Sequence, residues 1–188
     1  MIKLRYGNTN TYFAGGLLID TDMPGTLSAF YKELKRNGLS LSDIRYVLAT
    51  HYHPDHIGLI GELVALGVKL LLVDKQKDHI RFSDAIFEKT NVCYKPISES
   101  DATVISCAGS RDFLADIGIK GEIIATESHS ADGIALILDD GDCFVGDLEP
   151  REFIGGYETG SALEKDWEKI MRLKPKNIYY GHMRDQKI

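Results

Sequence analysis

Two kinds of hydrophobic pattern alternate along this chain. Short apolar or alternating segments bounded by Gly, Asp or Pro predict β-strands, and longer segments with apolar residues every three or four positions predict helices. The predicted strands are Ile2–Tyr6, Thr11–Ala14, Leu17–Asp20, Arg45–Thr50, Val68–Val73, Thr103–Cys107, Ile123–Thr126, Ile134–Leu138, Cys143–Val145 and Asn177–Tyr180. The predicted helices are Thr26–Asn37, Ile57–Leu66, Lys75–Lys89, Arg111–Ile117 and Ala162–Leu173, and Asn91–Ala102 is predicted to be a loop.

The order of these elements predicts the fold class. Strands and helices are interleaved, but hairpin-like pairs also occur, as around Asp139–Asp142, where Asp-Gly is a strong turn signal. This mixture predicts an α/β (α+β) protein with mixed sheets flanked by helices, in a single domain that spans residues 1–188. A chain of this length is able to bury a substantial core.

Composition and charge limit the classes of binding partner and the cellular location that we expect. The chain has 22 Lys and Arg against 28 Asp and Glu, a formal net charge of −6, and no block of like charges. A nucleic-acid partner is disfavoured, because a duplex-binding surface usually shows a basic stripe. No apolar segment is long enough to cross a membrane. The N-terminus lacks the apolar core of a secretory signal, and three dispersed cysteines do not suggest a disulfide framework, so we expect a cytoplasmic protein.

Residues 51–56 carry the strongest chemical signal, His-Tyr-His-Pro-Asp-His. Two histidines separated by one residue project to the same side of an extended segment, so both imidazoles can reach one ion. Pro54 suits the first turn of a helix, from which Asp55 and His56 would point to a second position nearby. The spacing therefore favours two metal ions over one.

A structural zinc site is the alternative interpretation of this motif. Such a site would have four closed ligands, often including Cys, and none of the three cysteines lies near residues 51–56. His79, on its predicted helix, is interpreted as an ordinary core or surface residue.

Three further candidate residues follow predicted strands: His129, Asp147 and His182. Sites in α/β proteins gather at the carboxyl ends of strands, so these side chains are candidates for the same site. Asp132, three residues after His129, either contacts an imidazole or belongs to a turn, and we favour the turn.

With these motifs in view, the chain resembles the metallo-β-lactamase fold superfamily over nearly its whole length. The matching segments, in the order of the superfamily, are Asn10–Tyr12, Leu18–Thr21, His51–His56, His129, Val145–Asp147 and Tyr180–His182. The resemblance implies a four-layer αβ/βα sandwich of two mixed sheets with flanking helices. It also implies two divalent metal ions, with zinc favoured and iron or manganese as alternatives.

The resemblance also implies a role for each candidate ligand. His51, His53 and His129 would bind the first metal, Asp55, His56 and His182 the second, and Asp147 would bridge the two. Two departures from the superfamily pattern stand out. Ser128-His129-Ser130 replaces the usual Gly-His-Thr, and only six residues follow His182, so a closing C-terminal helix is expected to be missing or clipped.

The implied reaction is metal-dependent hydrolysis of an ester, thioester, lactone or amide bond in a small-molecule substrate, by a metal-bridged hydroxide. Asp55 would be the catalytic residue that orients the water or carries its proton. Two alternatives remain: a mononuclear iron oxygenase resembling persulfide dioxygenases, with His51, His129 and Asp147 as ligands, and a non-catalytic module stabilised by metal.

Substrate contacts are predicted only from their position in loops near the ligands. The segments Phe82–Ala102 and Leu148–Ser161 are the expected walls of the site, with Tyr157 and Tyr94 as the leading substrate-binding candidates. The segment around Tyr94 would equally suit contact with a second subunit, so a homodimer is left open. Other candidates for the mouth of the site are Tyr52, Lys95 and Arg184.

Overall fold

The computed structural model describes residues 1–90 and 92–188, and it divides into two compact units, Met1–Ile105 and Ser106–Ile188. Asn91, the first residue of the predicted loop, lies outside the described residues. Each unit contains one mixed β-sheet with helices. No helix within the described residues has the length and apolar character that crossing a membrane requires.

The first unit is built around a six-stranded sheet. Its strands are β1 (Ile2–Leu4), β2 (Thr11–Ala14), β3 (Leu17–Ile19), β4 (Tyr46–Leu48), β5 (Lys69–Val73) and β6 (Ala102–Ile105), and they lie side by side in chain order. The first three pair antiparallel, and β3 to β6 pair parallel. The carboxyl ends of β3 and β4 therefore lie at one edge, which places the residues after them side by side.

The described residues of the same unit also form the helices α1 (Leu27–Arg36), α2 (Pro54–Ile57), α3 (Ile60–Ala65) and α4 (Asp84–Thr90). The apolar face of α1 buries Phe30 and Leu34 in a core that also contains Val47, Leu70 and Leu72 of the sheet. Helix α1 thus forms where the apolar spacing predicts it, because its buried face matches the strand residues beneath it.

The second unit contains a five-stranded sheet. Its strands are β7 (Gly121–Ala125), β8 (Ile134–Leu138), β9 (Asp142–Gly146), β10 (Asn177–Tyr180) and β11 (Gln186–Lys187), arranged in the order β11-β10-β9-β8-β7. Strands β9 and β10 are parallel and the other neighbours are antiparallel. Strands β7, β9 and β10 consequently run in one direction, and their carboxyl ends meet at one edge of the sheet.

Helices α5 (Ser110–Asp116) and α6 (Ala162–Arg172) complete this unit. Along α6 the buried residues Leu163, Asp166, Trp167 and Ile170 recur every three or four positions, so one face packs on the core with Cys143 and Ile178. The predicted turn between β8 and β9 is confirmed, with Gly141 at a φ of 104°. The short strand β11, which pairs with β10, was not predicted.

The predicted helix Ile57–Leu66 is wrong in its boundaries, because it is interrupted at Gly58 and Leu59. The His56 carbonyl accepts hydrogen bonds from the backbone N–H and the hydroxyl of Thr21, at 2.9 and 3.1 Å. The Leu59 N–H in turn donates to Thr21 Oγ1 at 3.3 Å. Thr21 therefore replaces helical hydrogen bonds with bonds to the segment after β3, and the helix breaks.

The predicted helix Lys75–Lys89 is also wrong as one element. Asp74–His79 forms 3-10 turns, and α4 begins only at Asp84. The buried Gln76 side chain donates to the Ala49 carbonyl at 3.0 Å and accepts from the Val73 N–H at 3.2 Å. These contacts fix the backbone next to β5 in a tighter turn than an α-helix allows.

Candidate metal centre

Residues His51 to His56 follow the carboxyl end of β4 after two intervening residues, in the first unit. His53 has extended backbone geometry and precedes α2, which begins at Pro54. A proline suits the first helical position, because its missing N–H would have no helical acceptor there. The ring nitrogens His51 Nε2 and His53 Nδ1 face each other at 3.0 Å, and the His51 and His56 ring centroids are 4.1 Å apart. Three imidazoles of the motif thus converge.

Asp20 anchors this arrangement and is a residue that the sequence reasoning did not single out as functional. It follows β3, is 1% exposed and adopts a left-handed φ of 57°. Its carboxylate accepts hydrogen bonds from the Thr50 N–H at 2.6 Å, the Thr50 hydroxyl at 2.8 Å and His56 Nδ1 at 2.9 Å. The rule that site residues follow strands could have identified it, since β3 and β4 are parallel neighbours.

The hydrogen bonds to Asp20 determine which imidazole nitrogens carry protons. A carboxylate only accepts, so His56 Nδ1 carries the proton and leaves a lone pair on Nε2. The Thr50 hydroxyl donates to Asp20 and lies 3.2 Å from His51 Nδ1, so its oxygen accepts from His51. His51 Nε2 then also carries a lone pair. One buried carboxylate therefore fixes the tautomers of two imidazoles, in the form that a metal ion is able to bind.

Asp55 lies beside His56 on the first turn of α2. Its Oδ2 atom is 3.9 Å from His56 Nε2 and accepts a hydrogen bond from the Thr9 hydroxyl at 3.4 Å. Its side chain is 31% exposed, whereas that of His56 is buried. Asp55 thus combines a fixed orientation with access from outside, as a residue that exchanges protons with a substrate or water requires.

In the second unit, the three predicted ligands come together at the edge where the strands end. Asp147 directly follows β9, His182 follows β10, and His129 follows β7 after a short loop. Asp147 Oδ2 is 3.5 Å from His182 Nε2 and 3.9 Å from His129 Nε2. The parallel alignment of β9 and β10 explains the first contact, because it places Asp147 and His182 at equivalent ends.

Two consecutive residues of α6 fix the loops that carry these ligands. The buried carboxylate of Asp166 accepts hydrogen bonds from the backbone N–H groups of Glu127 and Ser128, at 2.7 and 2.8 Å. Trp167 Nε1 donates to the Glu149 carbonyl at 2.8 Å, two residues beyond Asp147. Neither residue was predicted to have a role, because a helix pattern indicates burial and not which loop the buried face contacts.

A cavity of about 320 Å³ lies within the second unit next to His129, and Tyr157 is one of its walls. The Tyr157 hydroxyl donates a short hydrogen bond to the Glu149 carboxylate, which also lines the cavity. This bond to Glu149 raises the pKa of Tyr157 above its ordinary value, so the phenol stays a donor at neutral pH. Tyr157, a predicted substrate contact, therefore shares a cavity with a predicted ligand within its own unit.

The other predicted substrate contacts differ in their burial. Tyr52 is 1% exposed in the core of the first unit, and the Tyr94 ring packs on Phe87 at 4.2 Å between centroids. Lys95 and Arg184 are exposed. Substrate binding by Tyr94 stays a prediction, although its ring lies against the core.

His79 and Asp132, two further residues considered from the sequence, lie in short turns. His79, interpreted as a bystander, lies at the end of the 3-10 segment and is half-buried. Asp132 accepts a short hydrogen bond from the Ser130 hydroxyl, within a turn in which the Gly133 N–H donates to the Ser130 carbonyl at 2.9 Å. Asp132 thus lies in a turn, and whether it also contacts an imidazole stays a prediction.

The donor atoms of the first unit fit a divalent metal ion. In each of the pairs His51–His53, His51–His56 and Asp55–His56, the ligand atoms lie within 4.8 Å of each other. Neutral imidazole and carboxylate are ligands that zinc, iron and manganese accept.

Comparison with known proteins identifies the family. The protein-family model that describes the metallo-beta-lactamase superfamily matches residues 4–182 of this chain. The chain belongs to this superfamily. The "Beta-lactamase-like protein 2 homolog" of Drosophila melanogaster is 30% identical over 181 residues, which cover 93% of this chain and 58% of that protein. The "Probable polyketide biosynthesis zinc-dependent hydrolase PksB" of Bacillus subtilis (strain 168) is 25% identical over 148 residues, 75% of this chain and 57% of that protein.

The present chain therefore spans little more than half the length of these two relatives. Among solved structures, TTHA1623 in a di-iron-bound form has a TM-score of 0.70 at 23% identity, covering 99% of this chain and 93% of that one. This likeness confirms the predicted fold class of two mixed sheets with flanking helices.

Proposed function

We propose that this metallo-β-lactamase superfamily protein is a metal-dependent hydrolase of an ester, thioester, lactone or amide bond in a small molecule. The observation that carries the proposal is the preparation of the histidines by Asp20. His51 Nε2 faces His53 Nδ1 at 3.0 Å; His56 Nδ1 donates to Asp20 at 2.9 Å and His51 Nδ1 to the Thr50 hydroxyl at 3.2 Å, so Nε2 of His51 and of His56 each keeps the lone pair that a metal ion requires.

The proposed ligand set follows the family pattern. His51, His53 and His129 would hold one divalent ion, Asp55, His56 and His182 a second, and Asp147 would be shared. Zinc is the favoured metal, since PksB is named a zinc-dependent hydrolase, and iron is the alternative, since TTHA1623 was obtained with two irons. When bound, the ions supply Lewis acidity and lower the pKa of a bound water toward neutrality.

Asp55 is the proposed catalytic carboxylate. Thr9 fixes its Oδ2 atom by a hydrogen bond of 3.4 Å, and its partial exposure allows proton exchange with solvent. In this role Asp55 would accept the proton that the attacking water loses and would pass it to the leaving group. The neighbouring Asp20 is buried and bound to three donors, so it orients imidazoles and takes no part in proton transfer.

Metal content and activity of matched variants test the proposal together. The protein is produced with zinc, iron or manganese supplied, its metals are counted by elemental analysis, and hydrolysis of a chromogenic ester, a thioester, a lactone and a β-lactam is measured. His53→Ala and Asp147→Ala each remove a proposed ligand, and His79→Ala is the matched control because His79 lies outside the proposed set.

We expect about two metal ions per chain in the unmodified protein and in His79→Ala, as in binuclear hydrolases. We expect fewer ions and at least a hundredfold loss of hydrolysis in the two ligand variants, since an incomplete ligand set weakens both binding and chemistry. One iron per chain with oxygen uptake would instead support the persulfide-dioxygenase-like alternative. Metal binding without turnover of any substrate would support the non-catalytic module.

A further inference from the structure

We propose, on the basis of the hydrolase function above, that the cavity beside His129 is a subsite for a small substrate group bearing an ammonium or another N–H donor. The group would bind to the Glu149 carboxylate. The proposal concerns specificity, because Glu149 is not one of the proposed metal ligands.

The position of the cavity connects it to the reaction. His129, a proposed metal ligand, forms part of its wall, so a substrate held at the metal would extend into it. The volume of about 320 Å³ is at the lower end of the range for small-molecule sites. Ala162 and Leu163 at the start of α6 add apolar surface that would contact the carbon atoms of the bound group.

The charge of the cavity determines the chemistry of that group. Among the lining side chains that the structure describes, Glu149 is the one with a formal charge when His129 is neutral. A carboxylate only accepts hydrogen bonds, so it favours a donor or a cation and repels a carboxylate or phosphate. The Ser128 hydroxyl, a second lining group, is buried and has no hydrogen-bond partner within the described part of the chain.

Two contacts hold Glu149 in place for this role. The Tyr157 hydroxyl donates to its carboxylate, and Trp167 Nε1 donates to its carbonyl at 2.8 Å. A carboxylate whose backbone and side chain are both fixed loses less conformational entropy when a ligand binds. Glu149 is thus oriented before the substrate arrives, although it is an exposed residue.

Small thiols test the subsite without requiring any known substrate. Thiolates bind zinc, so cysteamine, 2-mercaptoethanol and mercaptoacetate would share one anchor and differ in a cationic, neutral or anionic tail. Their dissociation constants are measured by calorimetry at one pH, on the zinc-loaded protein and on Glu149→Gln. Glu158→Gln is the matched control, because Glu158 is an exposed glutamate of the same segment that does not line the cavity.

The informative quantity is the ratio of the cysteamine and mercaptoacetate affinities in each protein, because differences in thiol acidity cancel between proteins. We expect this ratio to fall about fivefold in Glu149→Gln, the size of a partly exposed ion pair, and to stay unchanged in Glu158→Gln. If all three thiols bound and the ratio in Glu149→Gln equalled the ratio in the unmodified protein, the subsite alone would be overturned. Failure of every thiol to bind would overturn the proposed metal centre and the subsite with it.

Discussion

Replacing Asp20 by Asn tests the claim that one buried carboxylate sets the protonation of the histidines proposed to bind metal. Asn is the appropriate substitution, because Asn tolerates the left-handed φ of 57° and keeps the shape of the side chain. The Thr50 N–H donates to one carboxylate oxygen of Asp20 at 2.6 Å, so the oxygen of the new amide has to occupy that position. The amide nitrogen then faces the two donors of the other carboxylate oxygen, the Thr50 hydroxyl and His56 Nδ1–H. Thr50 can rotate its hydroxyl to accept, but His56 Nδ1–H meets another donor.

His56 resolves this conflict by moving its proton from Nδ1 to Nε2, which removes the lone pair proposed to bind metal. Loss of a carboxylate that orients a ligand histidine typically weakens metal binding 10- to 100-fold, or about 1.4–2.8 kcal/mol. Loss of one hydrogen bond to a charged acceptor lowers the unfolding free energy of the metal-free protein by about 1.5–3 kcal/mol. Zinc affinity is measured by competition with a chromophoric chelator, and stability by urea unfolding after chelation.

Asp142→Asn is the matched control. The Asp142 carboxylate also accepts two side-chain hydrogen bonds, from Asn177 at 2.8 Å and Tyr179 at 3.1 Å, and neither partner is a proposed ligand. We expect Asp142→Asn to change stability without changing zinc affinity. If Asp20→Asn lowered stability by the expected amount and bound zinc as tightly as the unmodified protein, the tautomer argument would be refuted.

Three further predictions concern the loops and the ions. Asp166→Ala leaves the Glu127 and Ser128 N–H groups without their acceptor. We therefore expect the unfolding free energy of the metal-free protein, measured in urea, to fall by about 2–4 kcal/mol, and an unchanged urea midpoint would contradict this. Gly58→Ala places a Cβ atom 2.3 Å from the Asp22 carbonyl, so the thermal midpoint should fall although Ala favours helix by about 1 kcal/mol. Imidazoles bind metal only when unprotonated, so zinc retained after dialysis should fall as pH drops below about 6, and full retention at pH 5 would argue against histidine ligands.

Much of the fold follows from local pattern, as α1 and the β8–β9 hairpin illustrate. The spacing of Phe30 and Leu34 and the Asp-Gly turn are signals contained within a few residues, so they survive in the folded chain. The errors have a different origin. The helix after His56 breaks because Thr21, far away in the sequence, accepts and donates hydrogen bonds in place of the helix backbone. Hydrophobic periodicity contains no information about such a contact.

The candidate site divides in the same way. The spacing of His51, His53 and His56 limits where imidazoles can point, so the sequence was sufficient to suggest metal chemistry in the first unit. The residues that orient these ligands were missed, because Asp20 and Thr9 meet them only through strand pairing and loop packing.

The sequence by itself determined most of the element types, the ligand residues to propose and the family to which they point, because these depend on side-chain chemistry and on neighbours along the chain. Tertiary structure alone decided which nitrogen of His56 carries its proton, which loops α6 fixes, and that Tyr157 and Glu149 share a cavity with His129. The physical reason is that a hydrogen bond depends on distances and directions between atoms. Those are settled when strands align and helices pack, not by the order of residues.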